Sequence, residues 1–373
     1  MSKLQEYAFS DLYDISSGIS SSKSQAGHGS PFISFSTVFN NYFLPDELTD
    51  LMDTSEKEQE VYSVKTGDIF VTRTSETVDE LAMSCVALKD YPGATYSGFT
   101  KRLRPKTNGI TYDKYMAFYM RSKFFRKVIN NNTIMTLRAS FNEDMFSFLK
   151  LYLPPYEEQV KIGDLLYNME KKRIINQKIN DNLQQMAYDT FMHSFFRKES
   201  NGKLGDIIVE NAKSPIQVGD AKAANNGDIP FFTSGDAILK WPEVLVTGRN
   251  CYLNTGGNAD VKFYVGDAAY STDTWCITAS GEMSDYLYLL LLSIKPELNQ
   301  KYFQGTGLKH LQKPMLKDRP IYIPATKELE TFNKTVQPWF DMIASNVKES
   351  QSLVALRDWL LPMLMNGQAV IED

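Results

Sequence analysis

Between about Glu157 and Phe196, apolar residues recur at Ile162, Leu165, Met169, Ile179, Leu183 and Met186. That three-four spacing predicts an amphipathic helix, although Lys172 and Asn176 fall on the same stripe and break it. A second stretch, from about Lys327 to Met365, repeats the pattern with Phe332, Val336, Trp339, Ile343, Val347, Leu353, Leu356 and Leu360. Pro338 lies inside it and marks either a kink or a late start. About 40 helical residues span roughly 60 Å, and an apolar stripe of that length needs a partner. Paired antiparallel with each other, the two would form a coiled coil that lets two lobes sit at opposite ends. Packed separately, each would serve its own lobe. The rest of the chain reads as two lobes of mixed strand and loop, joined through the polar, turn-rich RKESNGK from Arg197. Each lobe carries one further helix, Tyr112 to about Asn130 and Asp285 to about Leu298. The expected segments are 1–155, 156–200, 201–325 and 326–373, lobe and long helix in alternation.

A shift of 170 residues lays LYLPPYEEQVKI, from Leu151, over IYIPATKELETF, from Ile321, without a gap. Pro154 falls on Pro324, Glu158 on Glu328, Ile162 on Phe332, Leu183 on Leu353, Met186 on Leu356 and Phe191 on Leu361. Backwards, Thr136 falls on Thr306 and Met145 on Met315, and one slip further KYMAFYM lies over DYLYLLL. Each lobe also opens on a similar phrase, AFSDLYDISSG at Ala8 and KLGDIIVENAK at Lys203. The chain is therefore an internal repeat. Its shared phrase suits a strand running into a helix: proline pre-sets the first turn, and Glu157 and Glu158 sit where the helix dipole favours negative charge. The repeat also decides what LPPY is. Pro-Pro-Tyr after Asp, Asn or Ser marks the active site of amino-methyltransferases, where that side chain accepts an amino proton of the target base. Leu153 cannot accept one, and the second repeat has no Pro-Pro-Tyr.

Length favours two domains, and 43% hydrophobic residues suffice for real cores. The net charge of −5, from 40 basic and 45 acidic residues, carries no global signature of nucleic-acid binding. Cys85, Cys251 and Cys276 form no CxxC pair, which argues against a disulfide scaffold or a zinc site and suits a reducing cytosol, so a cytoplasmic location is expected. The start, MSKLQEYAFSDLYD, lacks the apolar run of a signal peptide, and YLYLLLLSI from Tyr286 is too short to span a membrane. His28, His193 and His310 are scattered rather than clustered. TGGN, TSGD and GTGLK lack the spacing of nucleotide loops. Neither cofactor, metal ligand set nor catalytic residue is expected.

The modest total hides segregation. Lys101 to Arg138 holds ten basic residues against Asp113 alone, a net of +9, while Asp46 to Asp90 has a net of −8. Lys295 to Arg319 has six bases and two acids, a net of +4. Both basic windows include the repeated segment, TLRASF and TGLKHL, which offers Thr136, Arg138 and Ser140 in one lobe and Thr306, Lys309 and His310 in the other. Small, hydroxyl and basic residues together suit phosphate contacts. Base edges could be read from FVTRTSE (Thr72, Arg73, Thr74), TYSGFTKRLR (Ser97, Lys101, Arg102, Arg104), PFFTSGD (Thr233, Ser234), VTGRN (Arg249) and NTGGNAD (Asn258), since arginine pairs with guanine in the major groove. The same residue types also build ordinary turns, and a basic run can be a solvated face.

With these residues in place, the chain resembles the specificity subunit of type I restriction–modification systems. GDIFVTRTSE and GDAAYSTDT are similar to strands of its target recognition domains, GTGLKHLQKPMLKDRPIYIP to the segment before its long helices, and LRDWLLPMLMNGQAVI to its C-terminus. The resemblance covers nearly the whole chain, strongly at the helix starts and weakly in the lobes. It implies an α+β fold: two globular mixed α/β target recognition domains separated by two long antiparallel coiled-coil helices, in a pseudo-twofold internal repeat. It also implies that each lobe reads one half of an asymmetric bipartite site in double-stranded DNA. The helices would set the spacer and dock two methyltransferase (M) subunits, and through them restriction (R) subunits. Catalysis, including base flipping, would belong to the partner. One departure is that the tail after Met365 is short and the first lobe begins almost at Met1, leaving little chain to close a ring-like arrangement. Two other readings are an enzyme stripped of its obvious motifs, which methyl transfer by the chain alone would reveal, and a coiled-coil interaction protein with no DNA role, for which the basic windows would be idle.

Overall fold

In both repeats a proline separates a short strand from a long helix. The computed structural model describes residues 4–75, 77, 80–132, 139–224 and 227–371. Helix α1 spans Tyr156–Phe195 and follows the strand Lys150–Leu153; the amides of Glu158 and Gln159 both reach the Pro155 carbonyl at 3.0 Å. Helix α2 spans Thr326–Met365, so both helices lie within a residue of their expected bounds. Pro338 stays inside α2 without ending it. At the start of α2, Glu328 accepts from the amide of Ala325 at 3.1 Å, from the hydroxyl of Tyr322 and from Lys198. Those bonds, the one from Lys198 first, hold its carboxyl down to about 2.

The chain divides into two units, residues 1–173 with 351–373, and residues 174–350. Each takes part of both long helices. In the first, strands β1 (Tyr13–Ser17), β2 (Ile69–Thr72), β3 (Ser84–Val86) and β4 (Thr100–Pro105) form an antiparallel sheet in the order β1-β4-β2-β3. In the second, β5 (Ile208–Glu210), β6 (Arg249–Asn254), β7 (Val261–Val265) and β8 (Thr274–Ala279) form one in the order β5-β8-β6-β7. The topology is the same. A smaller sheet repeats too: Ala26–Ile33 pairs antiparallel with Leu51–Met52 and parallel with Thr95–Tyr96, as Ile229–Phe232 does with Ile238–Trp241 and Ala269–Tyr270. In each unit the opening strand also pairs with the strand before the long helix, Gln5–Ala8 with Lys150–Leu153 and Gly202–Lys203 with Pro320–Ile321. The repeat seen in sequence at the helix starts therefore extends through the lobes.

The lobe helices depart from expectation. The first breaks into Asp113–Tyr119 and Lys123–Asn131, because the Ser122 hydroxyl caps the second piece by accepting from Phe125 at 3.2 Å. The second runs Ser284–Ser293 and gives way just before Pro296, which supplies no amide to continue it. Both are buried against the sheet and a long helix. Gly163 of α1 permits this in the first unit: a Cβ there would lie 2.7 Å from the Tyr115 nitrogen. In the second unit Phe332, Val336 and Phe340 of α2 pack on Tyr286 to Leu291.

Within the second unit Phe195 lies edge-on to Phe332 and Asn346 donates to Asn180 at 2.8 Å, so α1 and α2 run antiparallel. The expected apolar stripe is not the buried one there. Ile179 and Met186 are 38% and 48% exposed, whereas Asn176, Asn180 and Ala187 are buried. Asn176, which broke the pattern in sequence, donates to Glu349 at 2.7 Å. In the first unit Glu170 is buried and accepts from Arg173 at 2.7 Å and from Arg357 at 3.1 Å. Leu364 and Met365, at the end of α2, are buried in the first unit's core beside Ile162 and Leu166, with Ala369 and Ile371 against it. The end of α2 and the residues after it thus pack on the core of the first lobe.

Candidate nucleic-acid interface

The basic run at Lys101 does not form the broad basic face its charge suggested, because most of its donors are spent inside the lobe. The Arg104 guanidinium grips the buried Asp68 carboxylate at 2.6 and 2.7 Å and the Ser63 carbonyl at 2.9 Å. Arg102, also buried, donates to the same carbonyl at 2.6 Å. Lys101 is buried on β4 and reaches Glu143 at 3.4 Å. Arg121 donates to the carbonyls of Ser84, Val38, Phe39 and Asn41, and Lys114 pairs with Asp164 at 2.7 Å. The second basic window is similar: Lys295 pairs with Asp260, Arg319 with Glu297 and Lys317 with Glu210. Strand-borne cations are here a means of satisfying loop carbonyls and buried carboxylates.

The expected contact residues that stay exposed lie mostly at one junction in each unit, and the junction is built the same way twice. Arg73 follows β2; its amide donates to the Phe99 carbonyl at 2.9 Å, and its carbonyl accepts from the Phe141 amide at 2.8 Å. Thr255 follows β6; its amide donates to the Asp273 carbonyl at 3.1 Å, and its carbonyl accepts from the Leu311 amide at 3.0 Å. Phe141 and Leu311 are partners in the 170-residue register. In each unit three sequence-distant segments therefore meet: the loop after the second strand, the turn before the fourth, and the segment before the long helix.

The turns match in detail. Tyr-Ser-x-x-Thr occurs as Tyr96–Thr100 and as Tyr270–Thr274. The Ser97 amide donates to Ile33 at 3.0 Å and the Ser271 amide to Phe232 at 2.9 Å. The Thr100 and Thr274 amides return to the carbonyls of Ser97 and Ser271 at 2.9 and 3.0 Å. All four anchors are buried. The two residues between them, Gly98-Phe99 and Thr272-Asp273, form the tips, and Phe99 is 69% exposed. Neither tip was singled out in the sequence. The signal was there, since the two phrases stand 174 residues apart, but the lobes carry four more residues between phrases than the helix register allows.

Of the expected contact residues, the first junction brings together Arg73, Thr74, Ser97 and Ser140; Ser140 pairs with Thr74 in a short ladder, and Arg73 and Ser140 are exposed. Thr72 is fully buried, donating to Glu80 at 3.2 Å and accepting from Met83 at 3.0 Å. Thr136 and Arg138 lie outside the described residues. The second junction brings together Asn258, Lys309 and His310, with Thr306 on the turn of the same hairpin, all exposed: the Lys309 carbonyl accepts from Gly257 at 2.9 Å, and Gly256 bridges His310. Leu308 is 64% exposed between them. Thr233 is buried and donates to the Gly235 carbonyl at 3.1 Å, beside the half-buried Ser234. Arg249 stands apart from the junction. Its guanidinium bridges Asp285, at 2.7 Å, and Asp341 of α2, bracing the sheet to the helices.

Comparison with known proteins points the same way. The sequence model of the type I restriction modification DNA specificity domain matches residues 1–185 and 198–352. The type I restriction enzyme MjaIX specificity subunit of Methanocaldococcus jannaschii is 22% identical over 349 residues, covering 82% of this chain and 79% of that protein. The crystal structure of the type I restriction–modification system S subunit from M. genitalium matches 97% of this chain and 96% of its own at a TM-score of 0.65 and 12% identity, a likeness of fold.

Proposed function

This chain belongs to the type I restriction modification DNA specificity family, and from that premise we propose that it reads an asymmetric, bipartite site in double-stranded DNA, one half-site per lobe. The observation that carries this reading is the duplicated junction. One scaffold, built twice, presents Arg73, Phe99 and Ser140 in one lobe and Thr255, Asp273, Asn258 and Lys309 in the other. Equal scaffolds with unequal exposed side chains suit two half-sites of different sequence. Residues 1–155 and 201–325 are the exchangeable reading units, and the helical segments 156–200 and 326–373 set the spacer between half-sites. Two methyltransferase subunits dock on the helical segments, and restriction subunits join through them. The repeat supports this number, because Met186 and Leu356, equivalent in the 170-residue register, are both exposed apolar residues on α1 and α2. The chain itself carries no catalysis and needs no cofactor. Methyl transfer and extrusion of the target adenine belong to the partner, in the cytoplasm. No helix among the described residues is long and apolar enough to cross a membrane.

Within this proposal the contacts to DNA come from the exposed junction residues, while Thr72, Arg102, Arg104, Thr233 and Arg249 act from inside the lobes. The test is co-expression with a type I modification subunit, followed by sequencing that reports N6-methyladenine. A new split motif is expected only when both genes are present, and exchange of residues 1–155 for those of a relative should change one half of it. A stable complex that deposits no motif would defeat the reading.

A further inference from the structure

The repeat allows the two lobes to be compared position by position, and the comparison singles out the residues that set the half-sites. At the two junctions the backbone bonds are equivalent and the anchors are the same residue types, Ser97 with Thr100 and Ser271 with Thr274. Two positions at the junction differ sharply in contact chemistry: Arg73 stands where Thr255 does, and Phe99 where Asp273 does. Both tips are held firmly. The Thr100 hydroxyl donates to the Ser97 carbonyl at 2.7 Å, and the Gly98 amide to Ile19 at 2.8 Å. A Cβ on Gly98 would lie 2.9 Å from the Ile19 oxygen, so the turn has no slack. The Ser271 and Thr274 hydroxyls bond each other at 2.8 Å, and the Thr255 hydroxyl donates to the Asp273 carbonyl at 2.9 Å. The Arg73 guanidinium, exposed, has no carboxylate partner among the described residues, unlike Arg104 and Arg249. A rigid turn with buried anchors and an exposed, variable tip is what base discrimination requires, because each wrong base must meet a group that cannot move aside.

Building on the proposed DNA-reading role, we infer that Arg73 and Asp273 are the specificity-determining residues of the two half-sites. Arg73 donates two parallel bonds to the O6 and N7 of a guanine, and Phe99 covers the adjoining base edge. Asp273 accepts from the N4 amino group of a cytosine, a contact the first lobe cannot offer from its equivalent position. The half-sites therefore differ at the positions that Arg73 and Asp273 face.

The experiment compares the motif deposited by wild type with those of Arg73→Gln and Asp273→Asn, each co-expressed with the same modification subunit. Glutamine and asparagine both bond adenine in the major groove. R73Q is expected to replace one guanine by adenine in one half-site. D273N is expected to replace one cytosine by adenine in the other. Preference for the original base should fall about 10- to 100-fold. Should a variant deposit too little methylation to define a motif, its purified complex is titrated on wild-type and base-substituted duplexes. A reduced ratio between the two with unchanged binding to random DNA supports the assignment, and an unchanged ratio overturns it. An unaltered motif at unaltered yield in both variants also overturns it. A wild-type complex that deposits no split motif sinks the reading of DNA itself, which the variants alone would not do.

Discussion

Arg249 shows how a residue changes meaning between sequence and fold. In VTGRN it is an arginine beside a turn glycine, equally fit for a base edge or a carboxylate. Its partners Asp285 and Asp341 lie 36 and 92 residues on, beyond any local pattern. The pairing makes a prediction. Asp285 has no solvent exposure, so Arg249→Ala leaves a buried carboxyl without its cation and should cost about 3–5 kcal/mol, read by urea unfolding. Burial already pushes the Asp285 carboxyl up to about 6 against the pull of Arg249. The folded chain therefore holds this proton more tightly than the unfolded chain, whose carboxyl titrates near 3.8. Its contribution to stability is full below that value and falls as the pH rises towards about 6. In R249A the decline should extend to higher pH, and coincident pH profiles for the two proteins would contradict this account. Arg102 and Arg104 follow the same logic: charge reversal there breaks bonds to Ser63 and Asp68, so lost DNA binding would not separate reading from folding.

At the scale of elements, the long helices were legible and the lobes were not. The helices announce themselves through a proline at each start and a three-four periodicity, both local signals. The strands are short, and the first strand of each sheet finds its partner across tens of residues, so the shared β1-β4-β2-β3 order left no trace in the register. The helix pair was legible only in part: periodicity marked Ile179 and Met186 as inward, but the buried positions hold Asn176 and Asn180. A polar inner face costs stability and fixes alignment, because a slipped register leaves amides without partners. Asn346→Ala should therefore cost about 1–3 kcal/mol by orphaning the Asn180 oxygen. Asn180→Leu and Asn346→Leu should each cost a similar amount, and making both together should recover most of the loss. Thermal unfolding of both singles and the double closes the cycle, and additive losses would show that the two amides do not act as a pair.

At the scale of the whole molecule, the first unit is finished by residues 351–373, far along the chain from the rest of it. Leu364 and Met365 lie in its core and Arg357 reaches Glu170 there. A chain ending at Ser350 should lose roughly 4–10 kcal/mol from that unit, the cost of emptying two core positions, which approaches the entire stability of an ordinary domain. Calorimetry should show its transition lowered or absent while the unit of residues 174–350 still melts near its wild-type temperature. Two unchanged transitions would mean that the tail merely lies against a finished core. The same packing has a consequence in time. About 190 residues separate Arg173 from Leu364, and a ribosome needs roughly 10–40 s to add them. Throughout that interval the first unit lacks the two side chains, Leu364 and Met365, that fill its core. A chain cut short of Leu364 is thereby left with an exposed apolar site that chaperones and proteases can recognise.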